Sequence, residues 1–111
     1  LIKQDGTEQG RVYNNMLLEV SYKDGDTISF KTVAGEEVIA RLVKKETDSM
    51  KVKKPMALTM TKDGIGMVPF TFTVGRDSEL DINLSTIVFI AKTEKGMADQ
   101  YIESTTGIKI N

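Results

Sequence analysis

Residues 28–58, ISFKTVAGEEVIARLVKKETDSMKVKKPMAL, alternate in a way that few folds can accommodate. Ile28, Phe30 and Thr32 leave one side of the chain, and Ser29, Lys31 and Val33 leave the other. Val38, Ala40 and Leu42 alternate with Glu37, Ile39, Arg41 and Val43, and Met50 and Val52 with Lys51 and Lys53. Successive side chains of a strand point to opposite faces, so a period of two rich in β-branched residues predicts half-buried strands. Gly35 and the polar corner Glu46-Thr47-Asp48-Ser49 separate the three runs. Apolar residues on both faces of the first two runs predict strands covered on both sides.

At 111 residues, with 40% hydrophobic and 28% charged side chains, the chain is expected to form one domain with a modest core. No apolar run approaches the roughly 20 residues that span a bilayer, and no stretch resembles a signal peptide. The first residue is Leu1 rather than Met, so the native start is expected to lie upstream. Cys and His are both absent. That excludes thiolate chemistry, removes the commonest general base and metal ligand, and argues against an enzyme or a resident cofactor. A net charge of −1 argues against a generally basic nucleic-acid coat, while leaving room for a local patch.

Residues 1–26 are predicted to be a loosely structured arm or an extra strand, ahead of a domain over 27–111. Within the arm, MLLEVSY (16–22) reads as a strand, with a short helix as its competitor. Lys23-Asp24-Gly25-Asp26 and Lys62-Asp63-Gly64 predict tight turns, and Pro55 a local end to ladder pairing. Residues 65–75 predict a strand that buries Val68, Phe70, Phe72 and Val74. Residues 80–92 predict a last strand, whose run Ile87-Val88-Phe89-Ile90 suits packing on both faces or a subunit contact. The period then changes. Met97, Ala98, Tyr101 and Ile102 recur at helical spacing, with Thr93 as the expected N-cap and Gly107 at the left-handed end, where Ile108 can fold back. Five or six strands and one short helix make a mainly β chain.

Gly35, a strand, a polar corner with Asp48 and Met50, and another alternating strand resemble the first motif of the Sm/Lsm family. Residues 85–92, STIVFIAK, resemble its second motif. The blocks GEEVIARLV, KKPMAL, GIGMVPF and DQYIESTTGI are more closely similar to small Sm-like proteins encoded by tailed phages, including those of marine bacteria. The resemblance runs from about residue 28 to 110. It implies a strongly bent five-stranded antiparallel Sm-like barrel that joins a closed ring of roughly five to seven copies. In such rings the fourth strand of one subunit pairs with the fifth of the next, and residues 69–74 and 86–91 are the apolar runs available for this. A monomer in which those runs pair with each other is the alternative. A phage origin would imply the cytoplasm of an infected bacterial host. The chain also departs from the family: Lys51 stands where an Asn reads a uracil edge, Ala91-Lys92 replaces Arg-Gly, and Asp48 lies one residue nearer Met50.

Together these features make Lys45, Asp48, Met50, Lys51, Lys53 and Lys92 the candidate RNA-binding residues, with Lys44 and Lys54 beside them. Phosphate neutralisation by clustered lysines supplies most non-specific affinity for nucleic acid, and a ring would multiply the patch. Single-stranded RNA or a host RNA-associated protein is then the expected partner, without membrane involvement. Plainer readings compete at each position. A lysine-rich hairpin is commonly a solvated one, and Met50 at this spacing suits core packing. A structural ring acting only through protein contacts is the competing function. Glu36 and Glu37 face opposite ways on a strand, and Asp77, Glu79 and Asp81 lack the glycine and bidentate Glu of a calcium loop. Gly64-Ile65-Gly66 lacks the Gly-Lys-Ser/Thr ending of a phosphate loop.

Overall fold

The structure, a computed structural model, describes residues 22–107. In chain order these form β1 (Thr27–Thr32), β2 (Glu37–Lys45), β3 (Ser49–Thr61), β4 (Gly64–Pro69), β5 (Glu79–Asn83), a 3-10 turn (Leu84–Thr86), β6 (Ile87–Lys92) and α1 (Lys95–Thr106). Every pairing is antiparallel. The six strands run β4-β3-β2-β1-β6, with β5 also on β3. The expected mainly β architecture is therefore present, with six strands instead of five and a sheet that hydrogen bonds do not close. The arm through residue 21, the run at 16–21 and the Ile108 contact lie outside the described residues.

Alternation places the core where the sequence predicted it. Ile28 and Phe30 of β1, Val38, Ala40 and Leu42 of β2, and Met50 and Val52 of β3 form one buried cluster. Tyr22, Phe70, Leu80, Ile82, Leu84, Ile87 and Ile90 pack around it. Ile39 points to the opposite face, yet is only 1% exposed. The helix covers that face. Thr93, just before α1, shares a 2.9 Å hydroxyl hydrogen bond with Ser29, whose register partner is Ile39. From within α1, the Tyr101 hydroxyl donates to the Lys54 carbonyl at 2.8 Å.

Strand β3 is long and bent, and the bend organises the sheet. Between Ile39 and Arg41 of β2 the register slips, because Met56 and Lys53 of β3 enclose one residue too many. That β-bulge holds Lys54 at φ 51, a left-handed conformation that non-glycine residues seldom adopt. Past the bulge Pro55, which has no N–H to donate, is buried. The bend divides one edge of β3 between two partners: residues 56–61 pair with β4 and residues 49–53 with β5. It also explains why the predicted strand over 65–75 stops at Pro69. After Phe70 N–H donates to the Pro55 carbonyl at 3.0 Å, β3 turns away and the ladder has no partner. Residues 70–78 are irregular. Phe70 stays in the core, but Phe72 is 84% exposed, and Val68 and Val74 are also exposed, against the expected burial.

The expected last strand over 80–92 is two strands joined by the 3-10 turn. Asn83 Oδ1 accepts from Ser85 N at 3.0 Å, and the Thr86 hydroxyl donates to the Asn83 carbonyl at 2.7 Å. Leu84 N donates to the Asp48 carbonyl at 2.9 Å, which ties this turn to the β2–β3 corner. Strands β5 and β6 are thus consecutive in the chain but lie at opposite ends of the path β5-β3-β2-β1-β6. A link of three residues spans roughly 14 Å at most between the flanking Cα atoms. The sheet must therefore curl until its far edges approach each other.

At the helix start, Glu94 is the N-cap, its carboxylate accepting from Met97 N at 2.7 Å. Thr93 was the expected cap, but its hydroxyl is engaged with Ser29. At the other end Gly107 adopts φ 78 and donates to the Glu103 carbonyl, the left-handed stop its sequence position predicted.

Candidate functional site

Strands β2, β3 and β5 align the lysine corner in rows across the outer face of the sheet. On β3, Lys51 and Lys53 flank Val52, so they point outward where Val52 points in. Register sets Lys51 between Lys44 and Asp81, and Lys53 between Arg41 and Glu79. Lys51 Nζ donates to Asp81 Oδ1 at 2.9 Å. Lys53 Nζ lies 4.0 Å from Glu79, and Lys54 Nζ lies 3.6 Å from Asp77 Oδ1. The spaced acids of residues 77–81 are therefore counter-charges to the lysines. Among the described residues, no group of acids is arranged to hold a metal ion.

The six candidate RNA-binding residues separate on this frame. Lys51 and Lys53 come together, each with an acid beside it. Lys45, at the end of β2, and Lys44 next to it are exposed, and neither ammonium has an ion-pair partner among the described residues. Asp48 is exposed in the corner and contributes its carbonyl to the 3-10 turn. Met50 is fully buried, so its side chain packs the core and reaches no ligand from this surface. Lys92 stands apart, 4.0 Å from Asp26. The turn carrying Asp26 also brings Asp24, which accepts from Lys45 N at 3.1 Å, so two carboxylates intervene between Lys92 and Lys45.

Hydrogen bonding to Asp81, reinforced by its charge, raises the Lys51 pKa above the usual lysine value. The Asp81→Asn variant is expected to return it toward the ordinary range, and a lysine NMR titration that does not move would show that the pair does not form in solution. Exposed pairs like this contribute little to stability. Their importance here is electrostatic: a phosphate approaching Lys51 or Lys53 must compete with a carboxylate already in place. Among the described residues, aromatic platforms for base stacking are also missing from the corner, since Tyr101 and Phe30 are buried and Phe72 and Phe89 lie on other elements.

The edges form a second candidate surface, legible only in part from the sequence. Among the described residues, β5 pairs with β3 alone and β6 with β1 alone, leaving one edge of each free. On β6, Val88 is 62% exposed and Phe89 44% exposed. The dense apolar run at 87–90 is therefore not covered on both faces within the described chain. The predicted edge at 69–74 is displaced: that stretch is irregular after Pro69, and the edge strands are Gly64–Pro69 and Glu79–Asn83, each paired with β3 alone among the described residues. No described helix is long and apolar enough to cross a membrane.

Fold and surface together define a mainly β domain, a rolled open antiparallel sheet backed by one helix. Comparison of the sequence with protein-family models and with curated proteins returns no match.

Proposed function

We propose that this protein is a non-enzymatic, Sm-like assembly module that closes into a homo-oligomeric ring and acts through protein contacts. The observation that carries the reading is that, among the described residues, β5 and β6 each leave one edge unpaired on a curled sheet, as β4 does, with Val88 and Phe89 exposed beside β6. Unpaired strand edges template pairing with another chain, and cyclic closure satisfies them. β5 is the strand before β6 in the chain, so its pairing with β6 of the next copy would follow the head-to-tail scheme implied by the Sm resemblance. The strand order β6-β1-β2-β3-β5 supports the same reading, with β4 an addition on the outer part of β3.

A second reading, RNA binding by the ring, is favoured by Lys44 and Lys45, which have no acid partner among the described residues. The paired state of Lys51, Lys53 and Lys54 makes it the weaker of the two. Light scattering of the purified protein distinguishes the possibilities when combined with its ultraviolet absorbance ratio. The expected mass is a multiple of the 12.3 kDa chain, roughly five- to sevenfold, with a protein-only spectrum. A single-chain mass would overturn the ring. A nucleic-acid spectrum that disappears on raising salt would favour the RNA reading.

A further inference from the structure

A cavity of about 320 Å³ opens where the β3 bulge, the end of β4, the 70–78 loop and the last turn of α1 meet. It is lined by neither Lys51 nor Met50, and it meets β5 of the proposed edge pairing only at Leu80. Its volume falls within the range of small-molecule sites, with room for roughly ten water-sized groups.

The lining is amphipathic. Pro55, Met56, Pro69, Val74 and Leu80 supply an apolar floor. Lys54, Thr71, Arg76, Ser78 and Ser104 supply donors. Arg76 is held in position: its Nη2 donates to the Thr105 carbonyl at 2.7 Å, at the helix end where a cation is favoured. Thr105 is itself fixed, its hydroxyl donating to the Tyr101 carbonyl at 2.9 Å. One bond leaves the guanidinium with most of its five N–H donors unused. The hydroxyls of Thr71, Ser78 and Ser104 have no protein partner among the described residues. Lys54 reaches the cavity from the left-handed bulge, whose carbonyl Tyr101 holds. Among the described residues, no carboxylate lines the cavity. Asp77, strongly exposed, lies 3.6 Å from Lys54 Nζ, a loose pair that an incoming anion can replace.

We propose that this cavity binds a small amphipathic carboxylate. The carboxylate takes the planar fork of Arg76, assisted by Lys54 and the neighbouring hydroxyls, while an aliphatic body of medium length lies on Met56, Val74 and Leu80. Bidentate geometry favours a guanidinium–carboxylate pair over a neutral amide of the same shape. The donors are distinct from the assembly edges, since none of them lies on β5 or β6, and only Leu80 of the floor belongs to β5.

Octanoate titrated into the full chain, followed by amide NMR, tests it. Saturable shifts are expected around residues 54–56, 74–80 and 104–105, with octanamide binding at least about tenfold more weakly. The Arg76→Gln variant is expected to weaken octanoate by a similar factor. Val74→Trp, which fills the cavity from an exposed position, is expected to abolish binding. The proposal is overturned if octanoate gives no saturable shifts, or if octanamide binds equally well. It is also overturned if either folded variant keeps full affinity. Should Arg76→Gln fail to fold, Val74→Trp alone decides.

Discussion

Replacing Tyr101 with alanine is expected to lower the unfolding free energy by about 3–5 kcal/mol, the usual cost of deleting a buried aromatic side chain. In a domain of this size each kcal/mol corresponds to about 4–8 °C in melting temperature, so the loss is easily read by calorimetry. The size of the effect follows from the position of Tyr101. It is 1% exposed, at the contact between α1 and the sheet. Its hydroxyl donates to the carbonyls of Lys54 at 2.8 Å and Lys53 at 3.4 Å, on the strained side of the bulge. Removing it opens a cavity between α1 and the sheet and leaves the Lys54 carbonyl, on the residue held at positive φ, without the hydroxyl that donates to it.

The Tyr101→Phe variant separates the two contributions. It keeps the ring and deletes only the donor, with an expected cost of about 1–2 kcal/mol. Burial pushes the Tyr101 phenol up to about 12, although the Arg41 charge and a hydrogen bond to its backbone pull the other way. An unfolded tyrosine titrates near 10. Above that pH the unfolded chain releases the proton that the folded chain keeps, so stability is complete below about pH 10 and is lost toward 12. Lys51 and Lys95, both raised by their acid partners, add to the same alkaline loss. Comparison with Tyr101→Phe subtracts those shared contributions. The gap between the two proteins is expected to narrow from about pH 10 toward 12, and a constant gap would mean that the phenol is not held in a desolvated site.

The second large effect is on assembly. Val88→Lys combined with Phe89→Lys is expected to reduce the particle from a ring to a single 12.3 kDa chain. Lysines on an edge strand are a device by which natural sheets block pairing, because the incoming strand must desolvate them. Both side chains are substantially exposed, so the fold should tolerate the change with unaltered circular dichroism. Phe72→Ser is the control. It removes a more exposed aromatic from the irregular 70–78 loop, away from the β6 edge, and should leave the mass unchanged. A folded double-lysine variant that retains the full mass would eliminate β6 as the assembly edge.

Much of the fold was visible in the residues themselves. The inward set Ile28, Phe30, Val38, Ala40, Leu42, Met50 and Val52 followed from alternation alone, because a strand exposes its side chains with a fixed period whatever its neighbours are. Gly35, at φ 98, and Gly107, at φ 78, were legible for a similar reason: their backbone conformation is one that few other residues adopt. The errors share a physical origin. Residues 65–75 alternate like a strand throughout, but a strand needs a ladder partner, and β3 turns away at Lys54. The 80–92 run has a break at Asn83-Leu84-Ser85-Thr86 whose capping residues were a usable signal, obscured by the apolar residues on both sides.

The candidate site was less legible. Lys51 and Lys53 were rightly placed on one face, but which charge opposes each depends on the register of β5 against β3, a pairing between segments far apart in the chain. Local composition therefore suggested a basic patch where the folded chain has alternating rows of lysine and acid. The cavity beside Arg76 had no local signature at all, since its walls come from four separate segments.

The sequence alone determined the short-range features of this protein: which faces of β1 to β3 turn inward, where the turns fall, and where the helix ends. These depend on side-chain period and backbone preference, which act over a few residues. Only the tertiary structure decided the division of one β3 edge between β4 and β5, the charge partners of the lysines and, among the described residues, which strands stand at the sheet edges. Those depend on pairings between distant segments and on where the strands bend, at the extra residue at Lys54-Pro55 and at a second register shift between Leu42 and Lys44, because a bulge redirects a strand and changes what it can reach.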